Sequence, residues 1–153
     1  MRKWTRGILI TLIGILVVIQ FFRPERNLGP SQGSDMLAQL DPPEELKQML
    51  QNSCYDCHSN QTKYPWYSHV APVSWVLDKH IREGKEEVNF STFGALEQRA
   101  KIRLLTEICE VVEEGSMPLP GYLRLHREAR LDAEKAGLLC EWSELEALKL
   151  MRE

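Results

Sequence analysis

Cys54 and Cys57 are separated by two residues and followed at once by His58, in the stretch Cys54-Tyr55-Asp56-Cys57-His58. This is the C-x-x-C-H spacing of covalent haem attachment. Two cysteines three positions apart in a helical turn share one face, so both sulfurs can form thioethers with the vinyl groups of one porphyrin. The histidine that follows is then placed to bind the iron as its proximal ligand. The spacing therefore predicts one covalently bound haem c.

Two other interpretations of the motif stay open. A thioredoxin-like redox pair uses the same cysteine spacing, but it expects a βαβ context that this sequence lacks. Half of a zinc site would need a second ligand pair, and the remaining cysteines, Cys109 and Cys140, lie far apart. Those two either form a disulfide on the oxidising side of a membrane or remain separate buried thiols.

The charge of the chain is unevenly distributed. Its 153 residues carry a formal net charge of −3. Residues 1–26 hold five basic side chains and one acidic one, which leaves 14 basic and 21 acidic side chains, a net charge of −7, in the rest. The length supports one domain with an appendage. The acidic domain argues against nucleic acid as a partner; it is compatible with docking onto a basic redox protein or with a charge that serves only solubility.

Residues 1–26 have the features of a membrane signal anchor. Three basic side chains precede a charge-free run over residues 7–19, in which Thr11 is the only polar side chain. The run approaches the length of a bilayer span, and no small-residue cleavage site follows it. We predict an uncleaved anchor, with a cleaved signal peptide as the alternative. Because covalent haem is attached outside the cytoplasm, the domain should face the periplasm from a single-pass anchor in the cytoplasmic membrane.

The rest of the chain is predicted to be helical. Residues 27–40 are polar and contain Gly, Ser and Pro, which predicts a linker rather than a folded element. Residues 41–153 form the predicted haem-binding domain, whose first helix is expected to begin at an N-cap, Asp41. One face of this helix continues into the motif cysteines: Leu46, Met49, Leu50, Ser53, Cys54 and Cys57.

Three further helices follow from apolar periodicity. The first should end at Gly84 and bury Val73, Val76, Leu77, His80 and Ile81. The second should span about residues 92–114, between Ser91 as N-cap and Gly115, and bury Leu104, Leu105, Ile108, Val111 and Val112. After a short helix over 122–130, Asp132 should cap a last helix that crosses the haem-bearing helix and carries Leu138, Trp142, Leu145 and Leu148.

An ordered set of motifs resembles the bacterial haem-binding domain family, which consists of small, often membrane-anchored c-type cytochromes. The motifs cover about residues 41–143 and are Cys57-His58-Ser59-Asn60, Tyr64-Pro65-Trp66-Tyr67, Pro72-Val73-Ser74-Trp75, Glu83-Gly84-Lys85, Asn89-Phe90-Ser91 and Met117-Pro118, with Tyr122 and His126. Lys85 stands where the family has Arg, and Phe93 where Trp is common. The resemblance implies haem binding and a matching fold.

Met117 is the predicted sixth ligand of the iron. It lies between the end of a helix and Pro118, 59 residues after His58, and such a proline-stiffened strap can hold a thioether at the iron. The alternative ligand is His80, which could instead pack in the core; Met117 could likewise be a packing residue. His126 is a weaker candidate, and a backbone carbonyl in the loop over 59–72 is expected to accept the Nδ1 proton of His58.

The sequence as a whole predicts an all-α, cytochrome c-like domain around one haem c, tethered by an N-terminal transmembrane helix. The predicted function is single-electron transfer at the periplasmic face of the cytoplasmic membrane, between unidentified redox partner proteins. The alternatives are a sensor or small-ligand-binding module with an open sixth iron position, and an assembly subunit that uses haem structurally. No general base, nucleophile or substrate cleft is evident, so no enzyme activity is predicted.

Overall fold

The protein is described by a computed structural model that covers residues 2–29 and 34–152. Its N-terminal helix, α1 (Arg2–Val18), continues into a 3₁₀ turn over Ile19–Phe21. The segment Lys3–Phe21 has a mean hydropathy of 1.9 and buries none of its side chains against the rest of the protein. It is long and apolar enough to span a membrane, as the sequence predicts for this segment.

The rest of the described chain is a helical domain. Residues 2–29 and 34–152 contain no strand, only an isolated bridge between Leu28 and Gln61, so the all-α prediction is confirmed. The helices are α2 (Met36–Leu40), α3 (Glu44–Ser53), α4 (Tyr55–His58), α5 (Val73–Glu87), α6 (Gln98–Glu113), α7 (Pro120–Leu123) and α8 (Ala133–Arg152). Short 3₁₀ turns lie at Trp66–His69, Phe90–Ala95 and Arg127–Ala129.

The predicted linker is in part a folded element. Residues 30–33 lie outside the described residues, but α2 forms within the segment and buries Met36 and Leu37. Asp35 caps this helix by accepting from the Leu37 N–H at 3.0 Å, and it also accepts from the Tyr55 hydroxyl at 3.0 Å. The prediction of an unfolded tether is therefore wrong for Asp35 to Leu40, because this short apolar stretch packs onto the haem motif.

The start of α3 differs from the prediction. Asp41 has a φ of 42° and ends α2 rather than capping α3. Helix α3 begins at Glu44 after Pro43, with no side-chain cap. Asp41 is the left-handed C-cap of α2, and Pro42 and Pro43 separate it from Glu44, so Pro43 and not Asp41 occupies the N-cap position of α3.

The core is built on the pair α6 and α8. Helix α6 buries Leu104, Leu105, Ile108 and Val112, and Gly115 at a φ of 67° ends the turn that follows it. The expected stripe and stop signal of this helix are confirmed, except that Val111 is only half-buried. The helix starts at Gln98 rather than residue 92, since residues 90–95 form a 3₁₀ turn that Asn89 caps.

Helix α8 turns a different face inward from the one predicted. Asp132 does cap it, by accepting from the Lys135 N–H at 2.9 Å. Trp142 is buried as expected, but Leu138, Leu145 and Leu148 are exposed and the buried set is Leu139, Cys140, Trp142, Ser143 and Ala147. The helix packs mainly along α6 and only slightly on α3. Its inward face follows the position of α6, which periodicity alone does not reveal.

Cys109 of α6 and Cys140 of α8 form a disulfide, with Cα atoms 4.3 Å apart. It closes a loop of 31 residues across the core pair. A cross-link of this length stabilises a fold by about 3–4 kcal/mol, largely by restricting the unfolded chain. We expect Cys109→Ser with Cys140→Ser to lower the free energy of unfolding by that amount, as measured by urea titration of the haem-loaded protein. An unchanged midpoint would mean that the bond does not form.

Candidate haem site

The C-x-x-C-H motif lies where the helix of residues 44–58 is interrupted. Helix α3 ends at Ser53, Cys54 has a φ of −127°, and α4 then carries the rest of the motif. The Cys54 N–H still donates to Leu50 at 2.9 Å, and the Cys54 carbonyl accepts from the N–H groups of Cys57 and His58. The predicted buried face is confirmed at Leu46, Met49 and Leu50, but it bends at Cys54 instead of running straight into the motif.

Both motif cysteines are half-buried free thiols, unlike the disulfide-bonded pair of the core. Burial raises the pKa of the Cys54 thiol to about 12, and the nearby Cys57 adds to this effect. Burial, with the charge of Asp56, raises the pKa of Cys57 to about 11. Both sulfurs are therefore protonated thiols at neutral pH.

His58 is kept neutral by burial and is oriented by the loop after α5. Its Nδ1 lies 3.3 Å from the Val88 carbonyl oxygen. Burial lowers the pKa of His58, outweighing the carbonyls of Val88 and Gly84, which raise it. A neutral ring that donates from Nδ1 carries its lone pair on Nε2, which is then the nitrogen available to a metal ion. A carbonyl does orient the ring, but its predicted position within residues 59–72 is wrong, because α5 brings Val88 to the histidine.

Gly84 brings α5 against the motif. A Cβ atom at this position would lie 3.0 Å from the Cys57 carbonyl oxygen and 3.3 Å from the Cys57 Cβ. The helix continues past it to Glu87, so the prediction that Gly84 ends α5 is wrong. The glycine is instead a contact residue, since a larger side chain would separate α5, and with it Val88, from His58.

We expect Gly84→Ala to destabilise the domain by about 1–3 kcal/mol, the usual effect of overpacking. The matched control is Gly137→Ala in α8, where a Cβ meets nothing within 4 Å. That substitution should be neutral or stabilise by about 0.5–1 kcal/mol through helix propensity. Thermal unfolding of both haem-loaded variants measures the difference. A Gly84→Ala variant as stable as Gly137→Ala would rule out the close contact.

A polar cluster adjoins the motif at Asp56, between the two cysteines. The Tyr122 hydroxyl donates to Asp56 Oδ2 at 2.9 Å, and the Tyr122 ring stacks on His126 at 4.0 Å between centroids. His126 Nε2 is 2.6 Å from the Tyr67 hydroxyl, and its Nδ1 is 3.2 Å from Glu128. The sequence suggested Tyr122 only through the family resemblance and His126 also as a weaker candidate ligand. The bonds of Tyr122 to Asp56 and of His126 to Tyr67 span some 60 residues of chain, so sequence alone could not reveal them.

The cluster forms one wall of an open cleft of about 230 Å³, which Asn52, Lys63, Tyr64 and Pro65 also line. Burial and the Asp56 carboxylate raise the pKa of Tyr122, so its hydroxyl stays protonated as a donor. With Tyr67 and Glu128 on its two nitrogens, His126 has the partners of a structural histidine.

The two candidates for the sixth ligand differ in their placement. His80 is exposed on α5, so its predicted place on a buried stripe is wrong; Val73 and Val76 are exposed as well, and the buried residues of α5 are Ser74 and Ile81. Met117 is half-buried just after α6, and its N–H donates to the Val111 carbonyl at 3.1 Å. Iron ligation by Met117, with His80 as the alternative, stays a prediction.

The donor set fits a haem. Two free thiols and a neutral, oriented imidazole lie within five consecutive residues. The Phe90 ring packs beside them, 5.8 Å from the His58 ring and 5.2 Å from the Tyr55 ring between centroids. A structural zinc site would call for four converging ligands. The only group of three such ligands in the described residues contains the disulfide sulfurs of Cys109 and Cys140, which cannot bind as thiolates.

Comparison with known proteins agrees with this chemistry. No curated protein and no solved structure matches the chain. The family model described as "Haem-binding domain" matches residues 14–145, which is most of the chain and includes the whole motif. The chain therefore belongs to the haem-binding domain family.

Proposed function

We propose that this protein is a c-type cytochrome that transfers single electrons at the periplasmic face of the cytoplasmic membrane. The observation that carries the proposal is the pair of free thiols directly before a neutral, carbonyl-oriented histidine, in a chain of the haem-binding domain family. Cys54 and Cys57 would hold the porphyrin, and His58 and Met117 the iron. Such a haem supplies a centre that takes up and releases one electron without a proton-transfer group.

The residues of the chain have separate parts in this proposal. Val88 fixes the tautomer and orientation of His58 through Nδ1. Gly84 keeps α5 close enough for this contact. The ring of Phe90 packs against His58 and Tyr55 and excludes water from that side of the motif. We accordingly propose a cytochrome c-like arrangement of the helices around one covalent haem.

The proposed location combines α1 with the chemistry of haem attachment. The segment Lys3–Phe21 would span the membrane once. Covalent haem is attached outside the cytoplasm, so the domain after α1 would face the periplasm. Its net charge of −7 beyond residue 26 favours basic redox partners over nucleic acid. We propose no enzymatic activity.

The alternative function is a haem-based sensor or small-ligand-binding module. The open cleft beside Asp56, with the Tyr122 and His126 side chains on its wall, is the observation that favours it, because a small ligand could enter there. In this alternative the sixth iron position is open or exchangeable.

Optical spectra of the purified protein distinguish the two functions. A carrier with sulfur ligation gives low-spin ferric haem with a weak deep-red band, and its reduced form does not bind carbon monoxide readily. A sensor gives high-spin iron that binds carbon monoxide at once. The second result would overturn the electron-transfer proposal and leave haem binding intact.

A further inference from the structure

The C-terminal end of the apolar segment, which we call the exit of α1 (residues 19–22), is hydrogen-bonded to the loop between α4 and α5 and to the first turn of α5. The Gln20 amide makes two hydrogen bonds with Ala71: its Nε2 donates to the carbonyl at 3.1 Å, and its Oε1 accepts from the N–H at 2.9 Å. The Trp75 indole N–H donates to the Phe22 carbonyl at 2.6 Å. The start of α5 is thus bound directly to the last turn of the apolar segment.

A second set of hydrogen bonds, made by Asn27, links the segment after α1 to the haem motif. The Asn27 amide donates to the Ser59 carbonyl at 2.7 Å and to the Thr62 hydroxyl at 2.9 Å. Its oxygen accepts from Lys85 Nζ at 2.7 Å. Ser59 follows the histidine of the motif, so the membrane exit and the candidate haem site are parts of one packed unit.

These bonds determine the depth of the loop relative to a membrane. If Lys3–Phe21 spans the bilayer, Gln20 and Phe22 lie where the chain leaves the hydrocarbon. Ala71 and Trp75, which bond to them, must lie at the same level. That level is the membrane–water interface, where tryptophan and other aromatic side chains are enriched.

The side chains around these contacts are apolar and exposed. We call them the interfacial face: Phe22, Trp66, Val70, Val73 and Trp75. Trp66 is 79% exposed and Phe22 is 66% exposed. Large exposed apolar side chains grouped around one set of contacts indicate a binding surface, and the position of α1 identifies its partner as the membrane.

Basic side chains lie next to the interfacial face. Arg23, Arg26 and His69 line a small cleft of about 50 Å³. The buried hydroxyl of Ser74, which has no hydrogen-bond partner within the described ranges, lines it as well. Two carboxylates, Glu25 and Asp78, also line the cleft, and Asp78 is paired with Arg82 at 3.2 Å. Two guanidinium groups at this depth match the phosphates of lipid headgroups.

We propose that the interfacial face docks the domain on the outer leaflet of the membrane that α1 spans, with headgroup phosphates at Arg23 and Arg26. This inference rests on the proposed membrane location. The domain would then be held at one height and orientation instead of moving freely on a tether, so redox partners would meet the haem at the membrane surface.

Photocrosslinking in intact membranes tests the docking. Benzoylphenylalanine replaces either Trp66 or Val73 in the full chain, expressed in cells that mature c-type cytochromes. The matched control is Leu145, an apolar residue that is 50% exposed on α8. We expect roughly tenfold more phospholipid adduct at positions 66 and 73 than at 145, the ratio that corresponds to about 1.4 kcal/mol of interfacial preference. The Val73 position keeps the test decisive if the Trp66 variant does not accumulate.

Equal lipid adduct at all three positions, or adducts of positions 66 and 73 with porphyrin or protein alone, would overturn the docking. Haem is scored on the same samples after denaturation, which separates the two proposals. Pigmented protein without lipid adducts contradicts the docking only. Colourless protein with lipid adducts contradicts haem attachment only.

Discussion

The double substitution Cys54→Ala with Cys57→Ala should abolish covalent haem: after denaturation the polypeptide carries no pigment, whereas the unchanged protein stains fully. The reason is that these two are the free thiols of the described residues, and they directly precede His58, the proposed iron ligand. Cys57→Ala alone leaves one sulfur, so any haem retained is held by a single thioether. Haem staining of denaturing gels and the reduced pyridine spectrum measure both effects.

The control for this experiment is Cys109→Ser with Cys140→Ser. These cysteines form the disulfide between α6 and α8, away from the motif. The control should keep its pigment while losing stability. Loss of pigment in the control but not in the motif variant would reverse the assignment of the two cysteine pairs.

Met117→Ala should have the second largest effect. We expect the weak deep-red band of sulfur-ligated ferric haem to disappear and the midpoint potential to fall, because methionine raises the potential relative to histidine or water. Axial ligands tune haem potentials over a range of about 0.8 V, so the shift should be large compared with any surface substitution. Optical redox titration measures both quantities.

His80→Ala is the matched comparison. His80 is exposed on α5, so its removal should leave spectrum and potential unchanged. If His80→Ala instead makes the iron high-spin while Met117→Ala does not, the sixth ligand is His80 and our assignment is wrong. High-spin iron in the unchanged protein would favour the sensor.

The features that the sequence predicted correctly are local ones. The buried stripe of α6, the stop at Gly115 and the cap at Asp132 each depend on residues within a few turns of one another. Their physical causes, which are helix periodicity, left-handed glycine and capping, act within one element.

The features that could not be predicted depend on how elements meet. Val88 reaches His58 only because α5 packs on α4 at Gly84. That packing is a contact between Gly84 and Cys57, which lie 27 positions apart in the chain. A glycine in a periodic helix indicates a stop and a close contact equally well, and only the packing distinguishes them. The same holds for α8, whose inward face is set by α6 rather than by its own leucines.

The start of the domain shows the effect of a short apolar stretch in polar surroundings. Two apolar residues, Met36 and Leu37, are too few to give a periodic signal, so the sequence predicts a linker over residues 27–40. Asp35 and Tyr55 bond across 20 residues and hold α2 on the motif. Burial in the tertiary structure therefore folds residues 35–40 into a helix, although the composition of the segment predicts an unfolded linker.

The central claim is that Cys54 and Cys57 bind haem covalently. The most direct test is the mass of the denatured full chain from cells that mature c-type cytochromes, followed by mapping of the proteolytic peptide that contains both cysteines. The account predicts one haem added to the polypeptide and located on that peptide. A chain of unmodified mass, with both motif thiols free to react with an alkylating reagent, would contradict it.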